Sequence, residues 1–362
     1  MTAPATQKAL TSDVFQRYQS NLPRHILGVA NYLQTQMMAI LRDDYGHTEL
    51  RLSFAPYINL VGESELRVSE LADILGISRQ ACNQAAQQVE AAGYLQRIDD
   101  PLDGRAKQMR LTTAGVQLRK DGLLAIKVLN DTFSDLAGAN ELHQASKTLG
   151  KLYMALQLSQ IQVQQPQAPA NLAGSALAGM LPRLSDYIML RLMELTKTKG
   201  HPGLKLSFGQ VLPFIGHEGG RIQEIAALHD VSKQAISAIA TELETLHYLR
   251  RDTHPSDARQ LVLQFTPRGE ALIADSVQST DELEAEFTKI TGQSALKKLK
   301  TTLKAIYLGL QLDQSLQQTS TANGATDLRL LAQQLRSQLG DKGSLALAKL
   351  LTAPEKQPST VS

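Results

Sequence analysis

The chain has 362 residues and a formal net charge of +2, from 37 Lys and Arg against 35 Asp and Glu. That balance does not announce a nucleic-acid partner, and any basic surface must be local. A single cysteine excludes an internal disulfide framework, and the N-terminus lacks a basic-then-apolar leader. No apolar run reaches membrane length, so the expectation is a soluble, cytoplasmic protein.

Residues 1–12 read as a tail. A first helix is predicted from about Asp13 to Asp44, with a break near Pro23 left open, and with Ile26, Leu27, Ala30, Leu33, Met37, Ile40 and Leu41 on its apolar face. A loop around Gly46 leads to a short helix ending near Val61. Leu71, Ala72, Ile74 and Leu75 form a stripe on a helix starting at Ser69, which Gly76 ends because glycine enters the left-handed region without a Cβ penalty. Ser78 caps the next helix. Cys82, Ala85, Ala86, Val89 and Ala92 face inward on it, and Arg79, Gln80, Asn83, Gln84 and Gln87 face outward. Tyr94 and Leu95 begin a strand. Asp99, Asp100, Pro101, Asp103 and Gly104 make a polar turn, and the strand returns from Lys107 to Leu111, with Arg105 near the tip. Thr112 caps a long helix whose stripe is Leu118, Leu123, Leu124, Val128 and Leu129. Another helix carries Leu142, Leu149, Leu152, Tyr153, Leu156 and Leu158.

Residues 159–175 carry Pro, Gln and Ala without apolar period and read as a linker. The order then repeats. Residues 220–265 match 66–111 at a constant offset of 154, without a gap. Ser78, Gln80 and Tyr94 match Ser232, Gln234 and Tyr248; Pro101, Asp103 and Arg105 match Pro255, Asp257 and Arg259. About 22 identities fall in about 70 positions, far above chance for a gapless shift. The register extends to Gly46-His47 with Gly200-His201, and to Phe133, Leu149 and Tyr153 with Phe287, Leu303 and Tyr307. The expected organisation is a first unit over 13–158, the linker 159–175, a second unit over 176–317, and a flexible tail over 318–362. Leu328, Leu331, Leu335 and Leu339 place a short amphipathic helix in that tail.

A helix with a long polar outer face suits the DNA major groove, where Asn and Gln pair bidentately with adenine. The first helix offers Gln80, Asn83, Gln84 and Gln87 for this. The second offers Lys233, Gln234, Ser237, Ala238 and Thr241, which are shorter and suit thymine methyls or a closer approach. Unequal faces predict two non-identical half-sites. Arg105 and Arg259 can enter a narrow, electronegative minor groove, with Asp103 and Asp257 fixing each guanidinium. Ser78 and Ser232 cap their helices whatever the function, and helix N-termini favour phosphate. Arg79 and Lys107 add local positive charge for phosphate contact.

Cys82 matches Ile236, an inward position, and is expected to be packing rather than a redox sensor. His47 and His201 have no third ligand at metal spacing, so loop or capping contacts are expected. Tyr153 and Tyr307 are expected in the core or at a seam between units. No phosphate-binding glycine loop, nucleophile elbow or paired carboxylate motif is present, so no catalytic residue, metal or cofactor is expected.

The order helix, helix, helix-turn-helix, wing, two helices, with wing tips DPLDGR and HPSDAR followed by LTTAG and FTPRG, resembles the MarR family of winged-helix transcriptional regulators. The resemblance covers nearly all of each unit. It implies a mainly α fold with small β wings, in which N- and C-terminal helices pair two units. Here that means tandem winged helix-turn-helix units in one intramolecular pseudo-dimer. It also implies double-stranded DNA as partner, repression as the mode, and a small-molecule effector between the bundle and a winged domain. His229-Asp230, where Leu75-Gly76 closes the first turn, departs from the pattern. So do Asn83 and Gln84, where the family often has Ser and Arg. Two rivals stay open: a winged-helix scaffold that binds proteins, and an architectural DNA-binding protein of low specificity.

Overall fold

The computed structural model describes residues 12–62, 64–101, 103–158, 175–216, 219–228, 231–254 and 257–313. The expected tail helix, the His229-Asp230 turn and all of the linker but Ser175 lie outside them. Ser175 is no linker residue; it opens a helix.

The N-terminal region is two helices, α1 (Ser12–Gln19) and α2 (Leu22–Asp43), divided just before Pro23. The physical cause is Asn21, whose side chain accepts from the Arg24 amide at 3.0 Å and caps α2 afresh. Pro23 follows in the first turn, where its missing N–H costs nothing. Next come α3 (Ala55–Val61), β1 (Leu66–Arg67), α4 (Val68–Leu75) and α5 (Arg79–Ala91). Helix α4 starts one residue before the predicted Ser69, and Gly76 ends it at φ 66°. The wing is β2 (Leu95–Asp100) and β3 (Asp103–Leu111), an antiparallel pair with Leu95 opposite Leu111. Its strands run further than predicted, so Asp99, Asp100, Asp103 and Gly104 belong to the ladder and not to the turn.

Helices α6 (Thr113–Ala137) and α7 (Ala139–Ala155) complete the first half. After α8 (Ser175–Thr198) the elements are α9 (Ile222–Leu228), α10 (Lys233–Thr245), β4 (Leu249–His254), β5 (Asp257–Phe265), α11 (Pro267–Thr291) and α12 (Gln293–Gly309). From α10 onward each begins and ends 154 residues after its counterpart α5, β2, β3, α6 or α7. The halves differ in detail. Leu66 and Arg67 add a third strand to the first sheet, whereas the second has a single bridge from Gly220 to Leu263. The 3-10 turn Leu52–Phe54 before α3 recurs as Leu206–Gln210, but a second 3-10 turn, Leu212–Phe214, replaces α3 itself, and Pro213 there supplies no N–H to continue a helix.

Three cores result. One gathers α2, α6, α7, α8, α11 and α12, with Leu22, Ile26, Phe133, Leu149, Ile188, Phe287 and Leu303 buried together. The second lies under α4, α5 and the first wing, around Phe54, Leu71, Val89 and Met109. The third lies under α9, α10 and the second wing, around Phe208, Ile225, Leu243 and Ile273. Helix α1 crosses to this third core. Phe15 meets Phe265 edge-on with centroids 6.3 Å apart, and Arg17 pairs with Asp281 at 2.6 Å. The stripe predicted for α6 needs correction. Gly115, Leu118, Asp121, Ala125, Leu129 and Phe133 are buried, while Leu123, Leu124 and Val128 are exposed. The buried set follows the 3.6-residue period more closely; the exposed three lie one step around the helix.

Glycine is obligatory where each long helix starts. A Cβ on Gly115 or Gly269 would overlap the carbonyl oxygen of Tyr94 or Tyr248. The same tyrosine carbonyls accept from the Thr112 and Thr266 amides at 3.1 Å, fixing each wing against its helix.

His25 is buried in the bundle beside Tyr307, with ring centroids 4.9 Å apart. Burial first, then the charges of Lys304, Arg24 and Lys300, hold its pKa down at about 4, against an ordinary 6.5. With the folded value depressed, the unfolded chain takes up the proton first. Stability is therefore full above about pH 6.5 and is lost as pH falls toward 4, by about 2–3 kcal/mol at pH 4.5. Urea titrations at pH 7 and 4.5 should show this loss, and His25→Gln should remove that share of it. An unchanged pH dependence in His25→Gln would refute the assignment.

Candidate nucleic-acid interface

Helices α5 and α10 each carry 13 residues and open on a serine cap. Ser78 Oγ accepts from the Ala81 amide and Ser232 Oγ from the Ala235 amide, both at 3.2 Å. Inward, Cys82, Ala86 and Val89 are buried on α5, and Ile236, Ala240 and Leu243 on α10. Outward, Arg79, Gln80, Gln84 and Gln87 are exposed, as are Lys233, Gln234, Ala238 and Thr241. Asn83 and Ser237 are half-buried. Each helix therefore presents a polar outer face beside a two-stranded wing.

Sequence reasoning treated Asn83 as free for reading, but the structure gives its Oδ1 a partner. Arg97, on β2, donates to it at 3.0 Å and to Glu90 at 2.9 Å. Arg251, on β4, does the equivalent work, donating to Thr241 Oγ1 at 3.1 Å and pairing with Glu244 at 3.2 Å. These arginines tie each wing to its helix. The signal was present, since Arg97 and Glu90 recur as Arg251 and Glu244 at the 154-residue offset.

Several basic groups near the wings are paired within the chain. Lys107 pairs with Asp99 across the ladder, Arg110 with Glu65 at 2.5 Å, and Arg250 with Asp252 at 2.7 Å. Arg67 donates to the buried carboxylate of Asp100 at 2.6 Å, which also accepts from Gln108 at 3.0 Å. That bond raises the Arg67 pKa further, and Asp103 adds to it from nearby. Lys233 donates to Gln223 at 3.2 Å. Arg79 is exposed and makes no ion pair among the described residues. Arg105 and Arg259 stand third in β3 and β5, beside the wing turns. Their side chains, and that of Asp257, lie outside the described residues.

The recurring histidines do more than contact a loop. His47 lies 2.9 Å from Asp121 through Nε2 and 3.3 Å from the Tyr94 hydroxyl through Nδ1. His201 repeats this with Asp275 and Tyr248, both at 3.0 Å. The arrangement fixes the tautomer: Nε2–H donates to the carboxylate and the phenol donates to Nδ1. Each set links the loop after α2 or α8 to the base of a wing and to the long helix that follows. The partners were missed because Tyr94 and Asp121 stand 27 residues apart in sequence. Cys82 is buried, and burial pushes its thiol pKa up, away from thiolate reactivity. Tyr307 is buried in the bundle and Tyr153 is half-buried. Among the described residues no cluster of three His, Cys, Asp or Glu is placed to hold a metal ion. No helix among them is long and apolar enough to cross a membrane.

Comparison with curated proteins finds no match. Among solved structures, the chain is similar to a transcriptional regulator from Thermotoga maritima, at 23% identity and a TM-score of 0.29, over 36% of this chain and 94% of that one. The sequence model of the MarR family matches residues 55–106, the segment from α3 through the helix pair into the first wing.

Proposed function

We propose that the chain is a DNA-binding transcription regulator that carries two reading heads, in units 13–158 and 176–317, as a single-chain pseudo-dimer. The observation that carries this reading is the pair α5 and α10. Both are capped by serine, polar outward, flanked by a wing, and followed by long helices that share one core. The MarR-family match over the first of these segments supports the same reading. In this account Arg79, Gln80, Asn83, Gln84 and Gln87 face one half-site, and Lys233, Gln234, Ser237, Ala238 and Thr241 face the other. Arg105 and Arg259 enter the flanking minor grooves, with Asp103 and Asp257 orienting them. Ser78, Ser232 and Lys107 contact phosphate. Lys107 must leave Asp99 to do so, which makes its contribution smaller than its charge suggests. Symmetry ties both heads of a homodimer to one sequence; two different heads on one chain remove that tie. The regulator is proposed to act as a repressor.

Selection of bound sequences from random double-stranded DNA tests the reading, repeated with Arg105→Ala and Arg259→Ala. The expected result is an enriched site, salt-sensitive binding, and relaxed preference in the A·T flank beside the altered wing. No enrichment with salt-sensitive binding would favour an architectural coat. No DNA binding at all would favour a protein-binding scaffold.

A further inference from the structure

The long helices after the two wings differ on their outer faces. Helix α1 packs along α11, where Val277 is 4% exposed and Arg17 pairs with Asp281 at 2.6 Å. At the 154-residue offset Val277 corresponds to Leu123 on α6, which is 55% exposed. Leu124 and Val128 beside it are exposed to 50% and 51%. They stand one helical turn apart, on the same side of α6. The patch is not inherited from the repeat. The residues of α11 that match Leu124 and Val128 are Gln278 and Glu282, both polar and exposed. The first half thus presents aliphatic groups where the second meets water with polar ones. Single apolar residues on a surface need no explanation, but a grouped set on one helix face marks a contact.

Charge decides what fits there. Asp281 corresponds to Lys127, so a helix like α1 would bring Arg17 onto a second cation. Lys120 and Asp131, both exposed, bracket the patch. They are three helical turns apart and so lie in line along it. A second α6 laid antiparallel on the first sets Lys120 of each copy against Asp131 of the other, and Leu124 against Val128. A parallel arrangement would set Lys120 against Lys120. Asp131 pairs with Lys127 of its own helix at 3.1 Å, with both side chains more than half exposed, so its carboxylate can take Lys120 as well.

We propose that the outer face of α6 is a self-complementary, antiparallel contact between two copies of this chain. Each chain has one such face, because α1 occupies its counterpart on α11, so the contact closes at two copies and does not extend into a filament. The apolar residues supply the affinity, and the exposed ion pairs fix the register. The face is small for an interface, so association is expected at about tens of micromolar, and the dilute chain stays single. On the regulator reading above, the two copies carry four heads and can join two separate sites, one chain on each.

Analytical sedimentation of the full chain without DNA, from about 1 µM to about 1 mM, tests this. The expected result is a reversible passage from one chain to two, with no larger species. Leu124→Asp, at an exposed position, should abolish the two-chain species. Gln278→Asp, at the matching position of α11, should leave it unchanged. Lys120→Glu and Asp131→Lys should each weaken association at least about tenfold, since each sets like charges together at both ends of the contact. Mixed in equal amounts, these two variants should recover it, because one chain then brings two carboxylates and the other two ammonium groups. A single chain at every concentration, which would leave the face to a different protein, overturns the proposal. So do species larger than two, undiminished association of Leu124→Asp, or no recovery in the mixture. None of these readouts involves DNA, so failure here and failure of the regulator reading are distinguishable.

Discussion

Phe133→Ala or Phe287→Ala is expected to destabilise the folded chain by about 3–5 kcal/mol, the usual cost of deleting a buried ring that its surroundings cannot fill. Both rings are 0% exposed and belong to the same cluster. That cluster draws on α2 and α8, the matching helices of the two halves, and on α6, α7, α11 and α12. Removing either ring opens a void in this shared cluster, which Tyr32 also borders, with its ring centroid 6.3 Å from that of Phe133. The loss should therefore be felt by both heads together. Denaturant titration gives the magnitude, and hydrogen exchange at α5 and α10 shows where it is felt. If protection fell in one head and stayed native in the other, the shared-core account would be wrong. Leu123→Ala and Leu124→Ala provide the contrast. Both side chains are at least half exposed, so each should change stability by less than about 0.5 kcal/mol.

The second large effect concerns reading. Gln80→Ala should weaken binding to the preferred sequence by about tenfold to a hundredfold, as loss of a bidentate adenine contact does, and only at one half-site. Asn83→Ala should cost less. Its Oδ1 already accepts from Arg97, and a bidentate contact would first have to break that bond. Ser237→Ala, at the matching position of α10, should have little effect, because a half-buried hydroxyl there has less reach. Quantitative binding to sequences altered one half-site at a time checks all three. Equal losses at both half-sites would contradict the assignment of each helix to its own site.

Much of this architecture is legible in the sequence because it depends on local chemistry. Ser78, Gly76, Thr112 and the inward Cys82, Ala86 and Val89 are read directly from capping and helical period. The 154-residue offset carries that reading to the second half. What escaped depends on contacts distant in the chain. Arg97 meets its partners Glu90 and Asn83 only once the wing packs on the facing helix. His47, Tyr94 and Asp121 meet only once the loop, wing and long helix are packed. Pro23 marks the place where α1 and α2 divide, but the cap that divides them is Asn21, which the apolar period does not show. On α6 the leucine-rich face looked like the core, but of it only Leu118 and Leu129 are buried, beside Ala125 and Gly115, and at Gly115 the Tyr94 carbonyl leaves no room for a Cβ.

The central claim is that one polypeptide holds two different DNA-reading heads. Sequencing the random DNA retained by the purified chain, with the mass of the complex measured on the enriched site, tests it most directly. The account predicts one chain per site and two unequal half-sites centred about 34 Å apart, one turn of the duplex. Two identical half-sites, or two chains required to fill them, would contradict it.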